Sequence, residues 1–138
     1  MTPTLRGRWQ TRLVLLLTIG VGVTAFFGMI YQDFGVGFSI LGYILIFGLV
    51  WDVWYNFLQS LRWDHDWSPA LYLAAGIWET VILWVLIQFL GLPGIPDNLN
   101  AFIFLFHFGS IWVITMFIMF GPLRILFPRW RFRGGQWL

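Results

Sequence analysis

Four apolar runs of about the length that crosses a bilayer, joined by short turn-forming segments, decide what solvent this chain folds in. A helix rises about 1.5 Å per residue, so roughly 20 residues match a ~30 Å hydrocarbon core. The runs fall at 13–31, 36–61, 69–92 and 98–120. Composition agrees with them: 59% of the 138 residues are hydrophobic and only 10% are charged, against about 25% charged in a soluble domain. The pattern predicts one all-α integral membrane domain, a multi-pass protein with no length left for a second folded unit. The first run, although preceded by arginines, ends in the bulky Met29-Ile30-Tyr31 without small residues for cleavage, and is read as a retained helix rather than a signal peptide. Connections as short as Gln32-Asp33-Phe34-Gly35 predict an up-down antiparallel four-helix bundle. Ser68 before Pro69 is expected to cap the third helix, and Asp97 or Asn98 the fourth.

All eight cationic residues are arginines, and their placement is one-sided. Arg6, Arg8 and Arg12 precede the first run, Arg62 lies in the second loop, and Arg124, Arg129, Arg131 and Arg133 follow the fourth. The positive-inside rule therefore predicts both termini and the middle loop on the cytoplasmic side. The segment 122–138 interleaves Arg124, Arg129, Arg131 and Arg133 with Trp130 and other aromatic residues. Such a segment could bind nucleic acid, but beside a membrane helix it reads as an interfacial tail that meets anionic lipid headgroups. Nucleic acid is not an expected partner.

Ionisable groups inside the runs are the strongest functional signal, because a lone charge there costs several kcal/mol. Asp52 in the second run and Glu79 in the third each stand about ten residues from the middle loop, so about 15 Å of rise puts them level. Asp52, Asn56 and Gln59 follow an i, i+4, i+7 stripe, which must face other helices, another subunit or water. His107 in the fourth run, about 20 Å from the same boundary, could come level through tilt. The expected polar cluster is thus Asp52, Glu79 and His107, with Asn56, Gln59, Thr80 and Ser110 as partners. The loop residues Arg62, Asp64, His65 and Asp66 add a second polar group. There Asp64 is expected to pair with Arg62, and Asp66 to help cap the third helix.

Several chemistries are excluded. No cysteine is present, which removes disulfides and thiolate metal sites. No nucleophile elbow, phosphate-binding loop, paired metal histidines or nicotinamide fingerprint occurs. No metal site is expected, and the residues name no cofactor. The leading expectation is a non-catalytic subunit that assembles with itself or with a larger membrane complex. The alternative is an oligomeric proton- or cation-linked channel or transporter, in which Asp52 and Glu79 share a proton. A cofactor- or metal-binding redox component or enzyme comes third.

Overall fold

The computed structural model describes residues 3–138, and among them every regular element is helical. Four helices are long and apolar enough to cross a membrane: α1 (Leu5–Tyr31), α2 (Phe34–Ser60), α3 (Pro69–Leu90) and α4 (Ala101–Phe120). Two short helices follow, α5 (Pro122–Leu126) and α6 (Pro128–Phe132), each opened by a proline that needs no hydrogen-bond partner at that position.

The first helix starts earlier than hydropathy predicts. Thr4 caps it by accepting from the Gly7 amide, so Arg6, Arg8 and Arg12 lie on α1 rather than ahead of it. Midway, Leu16–Gly20 widen into a π-helical turn. Such a turn weakens the regular ladder in hydrocarbon, where unsatisfied carbonyls are costly. Thr18 answers by donating its hydroxyl to the Val14 carbonyl at 2.6 Å. The chain then reverses through Gln32 in the left-handed region at φ 58°, and Asp33 caps α2 by accepting from the Gly35 amide.

Ser68 caps α3 as expected, accepting from the Leu71 amide. The cap of α4 is Asn100, which accepts from the Phe102 and Ile103 amides, and not Asp97 or Asn98. Leu99 explains the later start. It is buried in the same core cluster as Phe104, and those positions flank an N-cap at Asn100 as a hydrophobic staple requires.

The core consists of Ile40 and Ile44 from α2, Leu83 and Ile87 from α3, and Phe104, Phe108 and Ile111 from α4, all nearly inaccessible. Helix α1 packs along α2 and against α4, and α3 touches both α2 and α4. The outer surface is equally apolar: Met29, Val50, Ile77, Phe89, Phe106 and Phe117 are all exposed. Apolar patches this extensive are not tolerated by water-soluble monomers.

The C-terminal segment folds back on α1. Trp130 is only 2% exposed, and its indole N–H donates to Thr11 Oγ1 at 2.8 Å while Thr11 donates to the Gly135 carbonyl at 2.9 Å. The Thr4 amide donates to the Gly134 carbonyl, and the Trp137 amide to Gln10 Oε1. Gly7 makes this approach feasible, since a Cβ there would collide with Gly134. Trp130, expected at the headgroups, is thus buried with its polar edge bonded to α1. Arg129, Arg131 and Arg133 remain exposed, and Arg124 is half-buried over the Phe120 ring.

Candidate functional site: a guanidinium between two membrane-buried carboxylates

Asp52 on α2 and Glu79 on α3 are 3% and 4% exposed, and one cation answers both. Arg12 reaches across from α1 and donates from Nε and Nη2 to the two Asp52 oxygens at 2.8 and 2.9 Å. Its Nη1 and Nη2 donate to the two Glu79 oxygens at 3.2 Å. The planar fork of arginine, with five N–H donors, suits two carboxylates at once in a way no lysine could. Three helices are thereby joined at one group. Formally the trio carries two negative charges against one positive.

Small residues make room for it. A Cβ on Gly48, one turn before Asp52, would run into the Arg12 guanidinium, and a Cβ on Gly76 would run into the Trp112 indole. Trp112 lies beneath Arg12, 5.6 Å from guanidinium carbon to ring centroid, and donates its N–H to the Tyr72 carbonyl at 3.0 Å. The indole face adds a cation–π contact in a dry setting. Tyr55 packs beside Glu79 and is 5% exposed. Gly76 thus leaves room for the Trp112 side chain.

One turn earlier on α1, Arg8 hydrogen-bonds Gln59 Oε1, and its guanidinium lies 4.4 Å over the Trp67 ring. Gln59 spends its amide N–H groups on the Pro3 and His65 carbonyls. It ties the start of α1, the end of α2 and the middle loop together.

The expected cluster thus divides. Asp52 and Glu79 come together, but His107 does not join them. It is fully buried against α1, with Nε2 3.0 Å from Thr24 Oγ1 and Nδ1 3.3 Å from the Tyr31 hydroxyl, and it stacks on Phe27. The reason is rotation: five residues separate His107 from Trp112, about 7.5 Å of rise and roughly 140° around the helix, and Trp112 holds the place beside the carboxylates. Gln59 serves Arg8 rather than the acids. Thr80 donates to the Gly76 carbonyl of its own helix at 2.7 Å, and Asn56 and Ser110 are half-buried outside the network.

In the middle loop Arg62 grips Asp64 with two bonds of 3.1 and 3.0 Å, and this pairing holds the Asp64 carboxyl below its ordinary range. The Asp66 amide donates to Asp64 Oδ1 at 3.2 Å, and His65 takes a positive φ of 51° in the same tight turn. The N-cap of α3 is Ser68, which accepts from the Leu71 amide. Among the described residues no three His, Cys, Asp or Glu side chains gather as a metal-binding group.

Compared with protein-family models, curated proteins and solved structures, the chain matches none of them.

Proposed function

We propose that this chain is a small polytopic inner- or plasma-membrane protein that acts as a non-catalytic, self-assembling or accessory subunit of a membrane complex. In this reading the four helices run up and down, with both termini and the arginine-rich middle loop on the cytoplasmic side. The observation that carries the proposal is the four-bond grip of Arg12 on Asp52 and Glu79. It uses most of the guanidinium donors and both carboxylates to hold three helices in register, a recognised use of buried polar groups. Self-assembly draws support from the outer surface. Gly22, Gly42 and Gly109 have no heavy atom near their Cβ positions, and small residues on a lipid-facing surface permit close helix contact between chains.

The test is purification in a mild detergent followed by mass measurement of the intact particle. A defined oligomer or a stable hetero-complex supports the proposal. A single dispersed chain that carries out transport would overturn it.

A second reading rests on the charge excess of the trio. Two carboxylates on one guanidinium leave a site for a proton, and a cavity of about 70 Å³ adjoins Asp52. An oligomeric proton- or cation-linked channel or transporter would use both features. Reconstituted vesicles loaded with a pH dye decide between the readings: flux abolished by Asp52→Asn and Glu79→Gln favours transport, and absence of flux favours architecture.

A further inference from the structure

The cavity beside Asp52 has a feature that the buried trio leaves unused. Its polar lining is Arg8, Thr11, Arg12, Asp52, Tyr72 and Thr115, and the rest is largely aromatic and aliphatic, including Trp67 and Trp130. Most of its polar groups are already committed. Both Asp52 oxygens accept from Arg12, Thr11 is bonded to Gly135 and Trp130, and Tyr72 pairs with Thr115 at 3.2 Å. Arg8 is the exception. Among the described residues its one hydrogen bond goes to the neutral Gln59, no carboxylate lies within ion-pair distance although Asp52 acts on it from further away, and its Nε–H is buried without an acceptor.

We infer that this cavity binds the phosphate of an anionic phospholipid through Arg8. A buried cationic donor in need of an acceptor calls for an anionic oxygen, and phosphate matches a guanidinium edge in both charge and geometry. The ligand must also tolerate apolar walls, which favours a phosphate attached to a hydrocarbon body over a hydrated free ion. Level is the second argument: Arg8 lies one turn, about 6 Å, from Arg12 toward the helix start, where the headgroup region meets the span. The volume of about 70 Å³ suits a phosphate group and its nearest atoms, while the acyl chains stay in the bilayer. This site is separate from the exposed arginines of the C-terminal segment, and it rests only on the chain being in a membrane, not on its being a subunit.

The full-length protein, washed in mild detergent and offered phosphatidylglycerol, phosphatidylcholine or inorganic phosphate, provides the test by native mass spectrometry. Phosphatidylglycerol is expected to be retained in stoichiometric amount, with affinity reduced roughly tenfold or more in Arg8→Gln. Met119→Trp, at another residue of the cavity lining, is expected to lose the lipid as well and stands in if Arg8→Gln fails to fold. Arg133→Gln, on the exposed tail, should retain it. Equal retention of phosphatidylcholine, or unchanged retention in both cavity variants, overturns the site. Full competition by millimolar inorganic phosphate overturns the lipid as its occupant.

Discussion

Replacing Arg12 with methionine removes one cation and strands two acids. Asp52 and Glu79 are 3% and 4% exposed, so neither can turn to water without breaking helix packing. Deleting one partner of a buried pair costs about 3–5 kcal/mol. The second stranded acid adds at most the roughly 4 kcal/mol needed to protonate an ordinary carboxyl at pH 7. At about 3 °C per kcal/mol for a chain of this size, the lower figure already predicts a fall in melting temperature of about 10 °C. The assay is thermal unfolding in detergent, followed by circular dichroism at fixed pH. Two controls sharpen it. Arg12→Met combined with Asp52→Asn and Glu79→Gln removes the charges together and should recover most of the loss, since uncharged amides need no counter-ion. Arg12→Lys keeps the charge but loses the fork and should fall between. A melting temperature within a few degrees of wild type, or a triple variant no better than Arg12→Met, would refute the reasoning.

Other consequences are equally specific. Gly48→Ala and Gly76→Ala should each destabilise the fold in the same unfolding assay, because their Cβ atoms meet the Arg12 guanidinium and the Trp112 indole. Asn100→Ala should cost about 1 kcal/mol by removing the α4 cap, while Asn98→Ala leaves the melting temperature unchanged. Trp130→Phe keeps the ring but loses the bond to Thr11, and limited proteolysis should then cut the C-terminal segment faster. Because Arg62 lowers the titration of Asp64, this pair contributes above the ordinary aspartate range and is lost as pH falls through the depressed value. An NMR titration of Asp64 should therefore move upward in Arg62→Gln.

Depth was legible in the residues, and rotation was not. Counting 1.5 Å per residue from the middle loop places Asp52 and Glu79 level, and they do share one guanidinium. The same count tolerates His107 at that level, yet only the rotation of α4 decides that Trp112 faces the acids and His107 faces Thr24. Arg12 escaped because the run 13–31 is long enough by itself, so the arginine looked like a flanking charge. The helix beginning at Leu5 carries it inward instead. A signal was present: two membrane acids demand a cation, Arg12 directly adjoins the first span, and Gly48 leaves a gap one turn from Asp52. Trp130 looked interfacial from its neighbours alone. Its burial depends on Gly7 and Gly134 letting two backbone segments touch, a tertiary event that local composition does not encode.

Arg12 holds Asp52 and Glu79 together between the spanning helices. Solid-state NMR of the protein in lipid bilayers, with labelled arginine side chains and labelled carboxyl carbons, measures this directly. The Arg12 Cζ is expected roughly 4 Å from both the Asp52 and the Glu79 carboxyl carbons, as paired two-oxygen contacts require. An Arg12 guanidinium coupled to lipid phosphorus or water, with neither carboxyl carbon nearby, would contradict it.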